Sequence, residues 1–500
     1  MSNSSRYDVI IIGSGLGGLA CGATLSKEGY NVCVLEKNPL PGGCFQSFKR
    51  YGRMLDTGIH YIGSMDEGEI MRQYFTYFGI MDKLKMRRMD EEAFDMICYK
   101  DKFYPFAMGH ERFAETLTRE FPKEKDALYR YVDMLDAVGR SISVEQLRKG
   151  KLSSGNMDNF YVSAWEQIRG ITPDETLRQV LSGSVLLYGG DQSVSTFYHH
   201  AIITNSYLQG AWRFVDGSMQ VADALVGMIR QNGGTVLTGA EVSKLYLSGN
   251  EIKAVEINHS EQLESRYVIS SLHPFNTLSL VEKSPLIRKA TLSRLQHLPN
   301  SYGLFSVYLL QKRESTRYYN RNLFLLGDQN AWYNTRYPED TRINTCMVSM
   351  QPSSAQEQYT DVICLLSPMY LSEVKNWEDT TVGRRGADYE EFKMQKAQQL
   401  MAFAERYCPG ISQNTEKIVT TTPLTYRDYT GTPDGSAYGI MKNYKNPLIT
   451  LIPPRTRISN LFLTGQSLNV HGALGVTLTS MLTCAELLGS EYLARKIGDA

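Results

Sequence analysis

The chain has 500 residues, 42% of them hydrophobic, and its 53 lysines and arginines balance 53 aspartates and glutamates, so the formal net charge is zero. A neutral chain whose few basic clusters lack stacking aromatics excludes nucleic acid as a partner, and no apolar run approaches the ~18 residues of a spanning helix. Eight cysteines lie far apart without C-x-x-C or zinc-type spacing, and the short polar start Met1 to Arg6 carries no signal-like pattern, so free thiols, no metal centre and a cytoplasmic setting are expected.

The first element is a continuous β-branched run, Val9, Ile10, Ile11 and Ile12, which reads as a parallel strand buried on both faces. Gly13, Gly15 and Gly18 follow with G-x-G-x-x-G spacing. The first glycine permits a tight turn, the second lets backbone approach a pyrophosphate, and the third lets the following helix pack closely on the strand. Leu19 to Leu25 continue that helix, whose N-terminal N–H groups face the phosphates, and Gly29 ends it. A second strand, Val32 to Leu35, stops at Glu36, beside Lys37. A carboxylate about 20 residues beyond the glycines accepts ribose hydroxyls and repels a 2′-phosphate. The unit therefore reads as an adenine-dinucleotide site for FAD or NAD.

Next come Pro41-Gly42-Gly43-Cys44 and Asp56-Thr57-Gly58-Ile59-His60-Tyr61. Cys44 reads as a small residue beside the glycines. Ile70 to Met89 mixes Met71, Tyr74, Phe75, Phe78, Ile80 and Met81 with Lys83, Lys85, Arg87 and Arg88. This suits an interfacial helix in peripheral membrane contact, or else a core-facing helix followed by a solvated basic turn. Aromatics then accumulate at Phe160-Tyr161, Tyr188, Phe197-Tyr198, Tyr207 and Trp212-Arg213-Phe214. They provide either an apolar tunnel for a long lipid or plain core. Within this stretch His199-His200 is a candidate proton donor or acceptor.

Helical spacing returns over Met219 to Gln231, followed by Gly233-Gly234 and a strand at Thr235 to Leu237. Strands Val242 to Leu247 and Ile252 to Ile257 are joined by a Ser-Gly-Asn turn, a hairpin signal. A further strand ends at Val268-Ile269-Ser270-Ser271. Near the end of the chain, Asn460 to Thr464 reads as a strand leading into Gly465-Gln466-Ser467. Gly472-Ala473-Leu474-Gly475-Val476-Thr477 then opens an apolar helix that runs to Gly489.

Taken together, these segments resemble the amine oxidase and phytoene desaturase superfamily of flavoproteins, most narrowly its retinol saturase and carotenoid isomerase branch. The resemblance spans nearly the whole chain. It implies an α/β fold, with a Rossmann-like FAD-binding domain of the glutathione reductase type and an interleaved α+β substrate-binding domain. The FAD-binding domain is expected at 1–85, 215–290 and 420–500, the substrate-binding domain at 86–214 and 291–419. By resemblance, Gly43 and Cys44 border the pyrophosphate, Asp56 and Gly58 pass the flavin ring, and backbone at Val242 meets the adenine. Gly465 and Gln466 close the ribityl-phosphate end, with Gln466 where relatives carry an acid. The N–H groups of Gly475, Val476 and Thr477 would stabilise negative charge on the reduced ring. His60 and His200 are the catalytic candidates.

The same resemblance implies hydride exchange with carbon-carbon double bonds of an apolar polyene or isoprenoid, as saturation, desaturation or cis-trans isomerisation. Electrons would pass to or from an external partner, because no second glycine-rich βαβ unit is present. Two other readings stay open. One is a flavin amine oxidase; the other is a non-enzymatic escort of lipids or prenyl groups on the same fold, as in GDP dissociation inhibitors.

Overall fold

A computed structural model describes residues 6–144, 157–327, 331–332, 342–355 and 357–500. The expected first strand spans Arg6–Ile12 and lies inside a seven-stranded sheet. It pairs in parallel with Val32–Glu36 on one side and Glu261–Ser270 on the other, Ile10 lying opposite both Cys33 and Val268. Its β-branched residues are 0–3% exposed because helices cover one face and a second apolar layer the other. Thr235–Thr238 extends the sheet beyond Val32–Glu36, and Leu461–Leu463 pairs in parallel with the Glu261–Ser270 strand. Strands Val242–Ser248 and Glu251–Ile257 form the expected antiparallel hairpin.

Three helices lie together on one face: Leu16–Lys27, Met219–Gln231 and Gly472–Leu488. The first is buried almost throughout, which explains its run of small residues. The ends of the parallel strands and the N-termini of two of these helices therefore converge, as ligand-binding crevices of α/β sheets require.

A second seven-stranded sheet takes the order Thr415–Thr421, Gly303–Gln311, Val362–Met369, Thr345–Met350, Asn322–Leu326, Asp95–Tyr99, Lys102–Phe106. It is antiparallel except where Asn322–Leu326 runs parallel to Asp95–Tyr99. The boundary expected at 420 falls inside its strand Thr415–Thr421. Helix Ala387–Glu405 packs on one face through Tyr389, Ala397, Leu400 and Ala404.

The segment Ile70 to Met89 takes the second of its two expected forms, a core-facing helix followed by a turn. Its helix is short, Ile70–Tyr77, followed by a tight turn at Met81–Lys83 and a strand, Met86–Arg88, paired with Trp212–Phe214. Met71, Tyr74, Phe75, Tyr77, Phe78 and Ile80 are at most 1% exposed. They pack into the core beside the C-terminal helices. No described helix is long and apolar enough to cross a membrane.

Candidate cofactor and active site

The glycine turn is built as its spacing requires. Gly13 has φ +90° and its N–H donates to Leu35 O at 2.8 Å, which locks the turn to the end of the second strand. A Cβ on Gly18 would lie 2.0 Å from Gly13 O, so only glycine lets the helix sit this close. Gly15 is different. Nothing lies within 4 Å of its Cβ position, because that position faces an open cavity.

The cavity has a volume of about 370 Å³. Gly13, Gly15, Glu36, Lys37 and Val242 line one end; Gly43, Cys44, Gly58 and His60 line its middle; Gly465, Gln466 and Val476 line the far side. The structure thus brings together twelve site residues drawn from distant parts of the chain. Glu36 is 6% exposed, and its Oε2 accepts from Ser14 N at 3.0 Å and Ser14 Oγ at 2.6 Å, while Oε1 accepts from Asn38 N at 2.8 Å. A carboxylate has about four acceptor positions. Contact with both hydroxyls of a ribose therefore requires the Ser14 hydroxyl to turn away.

The residues present fit a dinucleotide. Open backbone at Gly15 precedes the N-terminus of helix Leu16–Lys27, whose first N–H groups have no partner within the helix. The second glycine segment docks beside it, Gly42 N donating to Ser14 O at 3.0 Å. Burial pushes the Cys44 thiol up to about 11, which keeps it protonated and unreactive at neutral pH.

Several expected site residues stand elsewhere. Gly18 lies beneath the turn and acts through packing alone. Asp56 does not line the cavity: its Oδ1 accepts from Ser47 Oγ at 2.6 Å, Ser218 N at 2.8 Å and Ser218 Oγ at 3.1 Å, so its carboxylate ties the antiparallel pair Ser47–Arg50 and Arg53–Asp56 to the start of the helix Met219–Gln231. Gly475 opens instead onto an adjoining chamber. Thr477 is fully buried and its hydroxyl donates to Ala473 O at 2.9 Å. Because the helix begins at Gly472, its unpaired N–H groups are those of Gly472, Ala473 and Leu474; Val476 and Thr477 are already within the ladder. His200 is a structural residue, fully buried between the hydroxyls of Tyr131 at 2.7 Å and Tyr188 at 3.1 Å, and it lines neither cavity.

The adjoining chamber holds about 90 Å³ and shares Gly58, Ile59, His60, Leu304, Tyr438 and Ala473 with the larger cavity. Its other walls are mostly apolar, from Ile62, Leu186, Leu187, Ile202, Ile203, Met347 and Leu366, with Tyr61, Ser206, Tyr207 and His471 as polar exceptions. Of the expected aromatics, Tyr207 reaches this chamber, whereas Phe160 and Tyr198 stack on each other in the core and Tyr161 is exposed. Burial and the nearby Arg213 guanidinium hold His60 down to about 4, so its imidazole is neutral, and its Nε2 has no hydrogen-bond partner. Burial, with His199 and Lys442 nearby, also holds His471 well below the ordinary histidine range. Lys442 is buried with its ammonium donating to the carbonyls of Thr450, Ser467 and Leu468 at 2.7–2.8 Å. It pins the turn after Gly465. Sequence reasoning missed Tyr438, His471 and Lys442, each a lone residue without motif spacing; only the position of His471 directly before the glycine-rich helix start was a usable signal.

The model of flavin containing amine oxidoreductases matches residues 16–364. The all-trans-retinol 13,14-reductase of Danio rerio is 27% identical over 96% of this chain and 86% of its own length. Prolycopene isomerase 2 of an Oncidium hybrid is 22% identical over 98% and 85% respectively. Cyclohexylamine oxidase from Brevibacterium oxydans shares the fold at a TM-score of 0.60, with 14% identity and 99% of both chains covered.

Proposed function

Given that the chain belongs to the family of flavin containing amine oxidoreductases, we propose that it acts on a carbon-carbon double bond of an apolar polyene or isoprenoid lipid. The protein is an FAD-dependent oxidoreductase. The reductase and isomerase among its relatives carry polyenes in their names, and the chamber that adjoins the FAD cavity has the matching chemistry.

The observation that carries the reading is that chamber's lining. Aliphatic side chains form most of it, and among the described residues no carboxylate faces it. A protonated amine would find no counter-charge there, whereas a hydrocarbon chain loses nothing on leaving water. At about 90 Å³ the chamber is smaller than the ~300 Å³ usual for a whole ligand, so it suits the reacting segment of a long chain.

Bound FAD supplies hydride exchange at its ring. The protein's residues supply the rest. Gly13 to Gly17 and Glu36 hold the adenosine and pyrophosphate half; Leu304 and Tyr438 bound the opening between cavity and chamber; the free N–H groups of Gly472 to Leu474 place the positive end of a helix there, favouring negative charge. The aliphatic walls exclude water. Electrons reach or leave the site through an external partner.

Anaerobic reduction of the purified flavoprotein, then mass spectrometry of offered retinoids and carotenoids, tests the reading. A two-hydrogen gain or loss, or altered retention at constant mass, supports it. Failure to change any polyene, with hydrogen peroxide formed from simple amines, would replace it with amine oxidation.

A further inference from the structure

Tyr61 in the chamber wall meets a second ionisable side chain buried behind it, Asp95, and neither has a part in the scheme above. Tyr61 lines the chamber, its ring stacked on Tyr207 with centroids 4.2 Å apart, and its hydroxyl donates to Asp95 Oδ2 at 2.9 Å. Asp95 is 1% exposed, and its Oδ1 accepts from Asn322 Nδ2 at 2.9 Å. Asn322 Oδ1 in turn accepts from Arg213 at 2.6 Å. That guanidinium is fully buried and also donates to the Met350 carbonyl, the Tyr318 hydroxyl and the Tyr319 carbonyl. A carboxyl is therefore buried with its nearest cation one amide away, an expensive arrangement for a wall that aliphatic side chains could build.

We propose that Tyr61 is the proton donor that turns double-bond reduction into saturation, and that Asp95 reprotonates it. The inference rests on the polyene reading. One carbon of the double bond receives a hydride from reduced FAD, which an external two-electron donor has reduced. The π electron pair then forms a C–H bond at the neighbouring carbon with the proton of Tyr61, whose O–H bond breaks. Tyr61 regains a proton from Asp95, and the Asp95 carboxylate takes one from water between turnovers. Electrons and protons balance: one hydride and one proton enter, and two C–H bonds replace one π bond.

Burial, only partly offset by Asn322, Tyr61 and Arg213, raises Asp95 to about 7, so below neutrality it carries a proton; its O–H then donates to the Tyr61 oxygen and leaves the Tyr61 proton free for the substrate. The ionisable groups around it are Tyr61, Tyr207 and Arg213. Burial holds both Tyr61 and Tyr207 above the ordinary phenol range, and neither titrates at neutral pH. Asp95 must carry the proton that restores Tyr61, so saturation is fast below about pH 7 and falls as pH rises through that value.

The test uses the holoenzyme with retinoid and carotenoid probes. Tyr61→Phe keeps the ring stack and lowers saturation by ~100-fold or more, with FAD content and the rate of flavin reduction by dithionite unchanged. Asp95→Asn keeps the bond from Asn322 and reverses the one to Tyr61, the new amide nitrogen donating to the Tyr61 oxygen; it lowers the rate and flattens the fall of rate with pH. Infrared spectra of the holoenzyme show a protonated carboxyl band at pH 6 that disappears at pH 8.5 and is missing from Asp95→Asn. Wild-type saturation rates in Tyr61→Phe, or no such band, overturn this inference alone. A wild-type protein that alters no polyene overturns the polyene reading, and this inference with it.

Discussion

Ser14 and Glu36 are joined twice, the backbone nitrogen and the hydroxyl of Ser14 both donating to the same carboxylate oxygen at 3.0 and 2.6 Å. The glycine turn and the end of the second strand are thereby held as one unit, and the acid is fixed in place before any ligand arrives. Glu36→Ala removes the ribose contact and also strands the N–H groups of Ser14 and Asn38. The expected result is FAD loss on gel filtration and about 1–3 kcal/mol less stability of the apoprotein. FAD retained at wild-type stoichiometry would contradict the site.

Gly15 and Gly18 make opposite demands. A side chain at Gly15 meets only cavity, so Gly15→Val is expected to fold with an apoprotein melting temperature near wild type yet to lack FAD. A side chain at Gly18 meets Gly13 O at 2.0 Å, so Gly18→Val is expected to lose the fold itself, read as loss of soluble protein or of cooperative melting.

His200 bridges Tyr131 and Tyr188 out of reach of both cavities. His200→Phe is expected to lower stability by about 1–3 kcal/mol, through two unpaired hydroxyls, with kcat on a polyene substrate unchanged. A large fall in kcat at normal FAD content would return this histidine to the chemistry.

Lys442 predicts a pH dependence. Burial lowers it to about 7, against about 10.4 in an unfolded chain. Between these values the unfolded chain binds more protons, so stability contributed by this group rises with pH. The cost of holding a buried ammonium is fully present below about pH 7 and is relieved as pH rises toward 10. Thermal melting of wild type minus Lys442→Met across pH 7–10 is expected to climb, and a flat difference would show that the lysine is not held as the structure places it.

The cofactor half of the site was legible because its demands are local. A turn, a helix start and a strand end within thirty residues impose glycine at fixed steps and an acid at the end, and Gly13 to Glu36 fold as that pattern requires. The segment Ile70 to Met89 was ambiguous for an equally physical reason. Aromatic and basic residues at helical spacing serve a membrane surface or a protein core alike, and only the packing of Tyr74, Phe75 and Phe78 decided for the core. Asp56 and Thr477 sat in the right segments, but side-chain direction, which depends on Ser47, Ser218 and Ala473, turned them away from the cavity.

By itself the sequence determined the dinucleotide fold, the family resemblance and the backbone that cradles the cofactor, since these depend on short-range geometry that few residues tolerate. The tertiary structure alone decided what faces the reacting end. Tyr61, Tyr438 and His471 line one chamber and Asp95 stands behind Tyr61; these residues of four separated segments acquire meaning only when the fold brings them together. Their perturbed ionisation has the same origin, because burial is a property of the assembled fold.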